Sequence, residues 1–297
     1  PNQEDDHYDP TAQQESEDPR FLTMTEVFTQ SEQAQSKVDI IWVVDDSGSM
    51  GDEQNSLAYN FDAFIQDFMS KEINFRMAIT TTDPTKKRDG KMVCDWHVLN
   101  SLYAAINRQN FVAMFEKCIK VGTKGSGHEK GLNAIDRFLY HYNDGNKSNR
   151  NDSFLREDAY LVVVIVSDEE DQSSRNVSHY IERLRSVKVN AGKVKVFSIV
   201  NTKANTEKYE SKGVRYMTAS KATNGVVADI DDSFYQILKD FGYDIINLLN
   251  RFTIAHKIAN NSIIVEVNGI ATTEFTFDQI TNSIKFNSGF TPAASSE

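Results

Sequence analysis

The sequence predicts an α/β fold, a doubly wound and mainly parallel sheet flanked by helices, followed by a small antiparallel β appendage. Three observations carry this. Val38, Asp39, Ile40, Ile41, Trp42, Val43 and Val44 form one apolar run broken by a single carboxylate, and Leu161 to Val166 form another. Such runs, rich in β-branched residues and without alternation, belong to strands buried on both faces, as in a parallel sheet. Segments with apolar residues at helical spacing lie between the runs, so strand alternates with helix. After Leu249 the apolar period becomes two, the mark of half-buried antiparallel strands.

In chain order, the strand 38–44 is followed by the stripe Leu57, Phe61, Phe64, Ile65 and Phe68, a helix, and by Phe75 to Thr81, the next strand. Asp83 to Asn110 is long for a connection and by topology lies on the side of the strands' carboxyl ends, which makes it a candidate specificity loop. Leu132, Ile135, Phe138, Leu139 and Tyr142 form a second stripe, and the polar run Asn143 to Ser153 an exposed loop. Beyond the strand 161–166, Ile181, Leu184 and Val187 precede the strand Val194 to Val200, and Val226 to Ile230 is a short strand. Phe234, Ile237, Leu238, Phe241, Ile245, Leu248 and Leu249 mark the last long helix. In the appendage Phe252 and Ile254, then Ile263, Val265 and Val267 before Asn268-Gly269, then Phe275, Phe277, Ile284 and Phe286 alternate, whereas Gly289 to Glu297 closes no clear strand. The chain thus divides into 1–35, 36–250 and 251–297.

With 297 residues, 39% hydrophobic and 25% charged, the chain can bury an ordinary core and exceeds one typical domain. Its net charge of -11 argues against nucleic acid and anionic membrane surfaces as direct electrostatic partners. No apolar run is long enough to span a bilayer. Pro1 to Gln35 is polar, acidic and Gln/Ser-rich, which reads as a disordered tether, and the opening without Met reads as a mature or trimmed product. Cys94 and Cys118 leave two readings open, a disulfide suited to an oxidising compartment or two buried thiols.

The chemistry concentrates in Asp45-Asp46-Ser47-Gly48-Ser49, which ends the first strand. Open α/β folds bind ligands outside the carboxyl ends of their strands, and a carboxylate with two hydroxyls offers hard oxygens to a small divalent cation. Taken alone, the motif reads as well as a polar turn that caps the next helix. Two further loops sharpen it. Gly122-Thr123-Lys124-Gly125-Ser126-Gly127-His128-Glu129-Lys130-Gly131-Leu132 opens a helix, and Ser167-Asp168-Glu169-Glu170-Asp171 ends the second buried strand.

These three pieces in this order resemble the von Willebrand factor type A (vWA) domain and its metal-ion-dependent adhesion site (MIDAS), over Val38 to Leu249. The resemblance implies that Ser47, Ser49 and Ser126 contact Mg2+, or Mn2+ or Ca2+, with Thr123 the alternative to Ser126. It implies that Asp45 and Asp168 accept hydrogen bonds from metal-bound water and orient the serines. A cation touched mainly by neutral oxygens stays electron-poor and suits a carboxylate from outside as its last ligand. The implied activity is therefore binding rather than catalysis, with a protein or glycan partner that supplies the carboxylate near Ser126, Gly127, His128 and Asp46. Asp46, Glu169, Glu170 and Asp171 are expected as a solvated acidic rim, and His128 as a solvated helix-start residue.

The resemblance is to bacterial extracytoplasmic, lipoprotein-type adhesins. It implies a cell-surface or periplasmic location, a tether to a membrane through a processed N-terminus without insertion of this chain, and no nucleic-acid partner. The alternative from a different class is an assembly or chaperone-like subunit of a metal-chelatase complex. Other motifs are absent: Gly122 to Gly131 lacks the Gly-Lys-Ser/Thr of a phosphate loop, there is no Gly-x-Ser-x-Gly, and Asp168 to His179 lacks the central Gly and final Glu of an EF-hand loop.

Overall fold

Five strands, β1 (Lys37–Val44), β2 (Asn74–Thr81), β3 (Tyr160–Ser167), β4 (Val194–Val200) and β5 (Val227–Asp229), form one parallel sheet in the order β2-β1-β3-β4-β5. This computed structural model describes residues 25–27, 37–71, 73–144, 154–203, 211–249, 251–254, 263–279 and 282–287. The tether expected over 1–35 lies outside the described residues except 25–27, as do most of the loop expected over 143–153 and the segment 289–297. Because β2 lies to one side of β1 and β3 to the other, the strand order reverses between β1 and β3, and a crevice opens at their carboxyl ends.

Helices cover both faces of the sheet. α1 (Gly51–Ser70), α3 (Arg108–Ile119) and α7 (Phe234–Leu249) share a core with Val38, Ile40, Trp42 and Val44 of β1. α4 (Gly131–Leu139), α5 (Val177–Arg185) and α6 (Val214–Ala222) share the other with Ile41 and Val43. Alternate side chains of a strand point to opposite faces, so a run apolar at every position but Asp39 feeds two cores. The first core is aromatic: Trp42 meets Phe64 and Phe115 edge-on, each at 5.5 Å, and Phe61 stacks on Phe115.

The connection Asp83 to Asn110 does not project as a loop. It holds a 3-10 turn at Trp96–Val98 and α2 (Ser101–Ile106), and α3 begins inside its last residues. Val93 donates its N–H to the Ile79 carbonyl, Met77 donates to that of Leu99, and Asn100 bridges Arg76, so the segment runs back along the open edge of β2. Covering an exposed strand edge satisfies its backbone groups and blocks pairing with another chain. This corrects the expected specificity loop: only its first part, around Asp83 and Arg88, stays near the carboxyl ends. The Cys94–Cys118 disulfide ties the segment to α3.

α4 gives way to a π-helical turn at Tyr140–Asp144, where the Tyr142 hydroxyl accepts the Met92 N–H and holds the edge segment from below. The appendage comprises β6 (Arg251–Thr253), β7 (Val265–Val267), β8 (Ile270–Thr272), β9 (Phe275–Asp278) and β10 (Ser283–Phe286). β6, β10 and β9 form an antiparallel sheet, and β7 and β8 a hairpin whose turn residues Asn268 and Gly269 take φ of 53° and 75°, the left-handed pair a tight right-twisted hairpin requires. Among the described residues no helix is long and apolar enough to cross a membrane.

Candidate metal centre

β1 and β3 end side by side at the switch of strand order, so the first residues beyond them, Asp45 and Asp168, become neighbours. The Asp45 carboxylate is buried and held from two sides: the Ser47 N–H donates to Oδ1 at 2.8 Å and the Ser167 hydroxyl to Oδ2 at 2.6 Å. The first bond turns the chain back on itself, which brings the Ser47 and Ser49 hydroxyls within 3.3 Å of each other, the former buried and the latter exposed. Met50 precedes α1, and no side chain caps that helix, so the motif does not act as a helix cap. Asp168 is buried, and Asn201 donates to its carbonyl at 2.7 Å.

The second loop is fastened to the first. Gln54 of α1 donates from Nε2 to the carbonyls of Asp45 and Gly122, both at 2.8 Å, and accepts the Gly122 N–H at 3.1 Å. The Gly125 N–H donates to the Asp46 carbonyl at 2.7 Å, and a Cβ on Gly125 would stand 2.3 Å from Asp46 Oδ1, so this approach needs glycine. Ser126 is half-buried and its hydroxyl accepts the His128 N–H at 3.0 Å. Thr123, Gly127 and His128 are exposed, as expected for His128.

Asp46 and Asp171 depart from the expected solvated rim. Asp46 is 2% exposed and lies 3.9 Å from Arg88 of the edge segment. Asp171, 3% exposed, accepts from the Leu132 N–H, the Ser173 hydroxyl and Arg215 Nε at 3.2, 2.8 and 2.8 Å, bracing the start of α4 against α6. Half-buried Glu170 caps α6 by accepting the Val214 and Arg215 N–H groups, each at 3.0 Å. For Asp171 and Glu170 the reason is an orphan donor at a helix start, the Leu132 N–H of α4 and the Val214 and Arg215 N–H groups of α6, which a carboxylate satisfies better than water does.

Four functional residues escaped the sequence reading: Gln54, Ser167, Thr82 and Glu129. Glu129 is fully buried and accepts a hydrogen bond from the Thr82 hydroxyl. Burial, then the nearby Asp45 charge, pushes its carboxyl up to about 9. Burial likewise raises Asp45, against the bonds from Ser167 and Ser47, and lifts Asp46 to about 6 with help from Asp83. Burial and the charges of Asp45 and Asp168 raise Glu169.

Buried carboxylates crowded together are costly unless they are paired or coordinate a cation. That crowding, beside two converging hydroxyls, is the donor chemistry of a hard divalent ion, so the residues fit one. Among the described residues no three acidic, histidine or cysteine side chains form a metal cage by themselves. Asp45, Ser47, Ser49 and Asp168 come together here, while Ser126 reaches the rim of the same crevice on the second loop.

No family model matches the chain, and no curated protein matches it. Solved structures do. Proximal thread matrix protein 1 from the mussel byssus, crystal form 2, is similar with a TM-score of 0.44 at 12% identity over 76% of this chain and 51% of that one. A second structure of it gives 0.40 at 15%, over 73% and 47%. A third, described with zinc in its MIDAS motif, gives 0.42 at 17%, over 70% and 46%. This chain spans about half the length of those proteins, and likeness at such scores carries no argument about function. The parallel sheet with helices on both faces makes this a doubly wound α/β fold, followed by small C-terminal antiparallel β elements.

Proposed function

We propose that this chain is a cation-dependent binding module, not an enzyme, that engages an acidic group on a protein or glycan through Mg2+ and serves surface adhesion outside the cytoplasm. The observation that carries the reading is the pair of Ser47 and Ser49 hydroxyls 3.3 Å apart beside buried Asp45 and Asp168, at the switch point of the sheet. Ser47, Ser49, Asp45 and Asp168 would hold the ion, with Ser126 from the second loop. A bound divalent cation supplies an electrophilic position for an oxygen anion of the partner. The chain's own groups do the rest. Ser167 and the Ser47 N–H fix the Asp45 carboxylate, Gln54 locks the first two loops together, and exposed Gly127 and His128 border the crevice where a partner would approach.

The Cys94–Cys118 disulfide supports an oxidising compartment, which favours the extracytoplasmic reading over a cytosolic chelatase-type subunit. In this proposal the segment 1–35 is the tether through which a membrane-anchored, lipoprotein-type chain holds its binding face outward. The test is capture of the chain on arrays of acidic glycans and Asp- or Glu-bearing proteins, in Mg2+ and in EDTA. Capture should require Mg2+ and disappear in Ser47→Ala and Asp168→Ala. Capture at full strength in EDTA refutes the reading.

A further inference from the structure

We propose that the partner engaged at the cation is an acidic polysaccharide of the uronate type, which lays one carboxylate on the ion and the following ones along a basic strip formed by the edge segment and the second loop. This rests on the cation-site reading above and names the partner's chemical class. The chain has a net charge of -11, yet the edge segment carries Lys86, Lys87, Arg88 and Lys91, and Lys120 and Lys124 bracket the start of the second loop. The edge segment begins as a tight turn: the Arg88 and Asp89 N–H groups both donate to the Thr85 carbonyl, at 2.9 and 2.8 Å, and Lys91 Nζ donates to the Lys86 carbonyl at 2.8 Å. Arg88 Nη2 donates to the Val121 carbonyl at 3.2 Å, which seats this turn against the second loop between Lys120 and Lys124. The loop is held in turn at the end of β2, where the Lys130 N–H donates to the Thr82 carbonyl at 3.0 Å, and on the first loop through the bond from Gly125 to Asp46.

The five lysines are exposed and Arg88 is half-buried. The acids of the same turn are taken up within the chain: Asp83 accepts the Thr85 N–H and hydroxyl at 2.8 and 3.1 Å, and Asp89 accepts Arg137 Nε at 3.0 Å. Basic groups thus border the crevice on the β2 side, whereas the chain after β3 runs Asp168-Glu169-Glu170-Asp171. A polyanion with one carboxylate on the cation is drawn over the β2 side and away from the β3 side. Every exposed residue of 85–91 and 120–128 is polar or glycine. Protein partners are held chiefly by aromatic and apolar anchors at the centre of an interface, whereas ammonium and hydroxyl groups match a polymer built of carboxylates and hydroxyls. Lysine, a point charge on a flexible stem, also suits anions repeated along a chain better than a single one fixed in geometry.

The test is binding of short oligogalacturonate to the full chain by calorimetry, in Mg2+ and in EDTA, with oligoglutamate of equal charge as the second probe and Mg2+ alone titrated separately. Oligogalacturonate should bind in Mg2+, and more weakly as salt is raised. Lys86→Gln with Lys87→Gln, and Lys120→Gln with Lys124→Gln, should each weaken that binding about fivefold or more without lowering the affinity for Mg2+ alone. Lys71→Gln with Lys221→Gln, the same loss of charge at exposed positions on the C-terminal ends of α1 and α6, should leave it as in the wild type. Wild type that does not bind oligogalacturonate, or oligoglutamate bound more tightly than oligogalacturonate, overturns the inference, the latter by giving the strip to an acidic protein segment. Binding that needs Mg2+ but ignores the lysine pairs overturns this inference and leaves the cation site standing. Binding at full strength in EDTA that still falls in the lysine pairs sinks the cation-site reading, which distinguishes the two failures.

Discussion

Chelating the cation should give this protein a stability that falls as the pH rises from 6 to 8, the reverse of a surface-paired carboxylate. Glu129 titrates at an ordinary value of 4.5 in the unfolded chain and at about 9 in the metal-free folded chain, for burial and the charges of Asp45, Glu169 and Asp46 disfavour its ionisation. A raised carboxyl stabilises the fold fully below the unfolded value, and that contribution is lost as pH climbs toward the folded one. Between pH 6 and 8 the folded state therefore binds one more proton than the unfolded state, and stability declines by about 1.4 kcal/mol per unit, or about 3 kcal/mol across the window. Asp46, moved from 3.8 to about 6, adds its own decline mainly below that window. Urea denaturation in EDTA at pH 6, 7 and 8, followed through the buried Trp42, measures the slope. Glu129→Gln should flatten it, which separates the effect from histidine titration, and saturating Mg2+ should offset it, by about 2.7 kcal/mol at 100 times its dissociation constant. Stability that is level or rising from pH 6 to 8 in EDTA would refute the reasoning.

Gly125→Ala should weaken Mg2+ binding while leaving the rest of the fold, because its Cβ would stand 2.3 Å from Asp46 Oδ1 and drive the second loop off the first; calorimetry with unchanged affinity contradicts it. Arg156→Met should cost about 3–5 kcal/mol in denaturation, since it removes the guanidinium from the fully buried Asp39 and leaves it the backbone N–H of residue 156 and Lys188 at 3.8 Å, and a loss under about 1 kcal/mol would show the pair to be dispensable. Cys94→Ser with Cys118→Ser opens the link between the β2-edge segment and α3, positions 24 residues apart, and should cost about 3 kcal/mol without changing cation affinity; equal melting of wild type and double variant opposes this.

The sheet was legible because parallel strands are buried on both faces and read as largely apolar runs; Leu161 to Val166 is unbroken, Val38 to Val44 is broken by Asp39 alone, and Val194 to Val200 by Lys195 and Ser198. The first and third loops were legible for a related reason: a polar cluster straight after a buried run sits at a strand end, so Asp45, Ser47, Ser49 and Asp168 are positioned by the strands themselves. Glu129 was not legible. A glutamate between His128 and Lys130 looks like any solvated helix start, and its burial is decided by Thr82, 47 residues away in the chain. Asp171 and Glu170 misled similarly, because a run of acids carries no sign that two of them face the starts of α4 and α6. The connection Asp83 to Asn110 reads as a loop because its strand-edge bonds at Val93 and Leu99 are made by backbone, which leaves no periodicity in the side chains.

The two ends of the sheet compensate their buried carboxylates differently. At the amino edge Asp39 is as buried as Asp45, yet Arg156 donates to it from its backbone N–H and Nε at 2.7 and 2.8 Å, and Lys188 stands nearby. That acid carries its counter-charge within the chain. At the carboxyl edge the donors to Asp45 among the described residues are neutral, Ser47 and Ser167, while Asp168 adds charge of the same sign. Arg88 of the edge segment stands 3.9 Å from Asp46. A fold that places an arginine and a lysine on one buried aspartate but leaves several carboxylates with hydroxyls at the other edge lacks there a counter-charge that the proposed cation would supply. On that proposal a cation beside exposed Gly127 and His128 would be within reach of a partner's carboxylate, whereas a fixed side-chain charge would close the position.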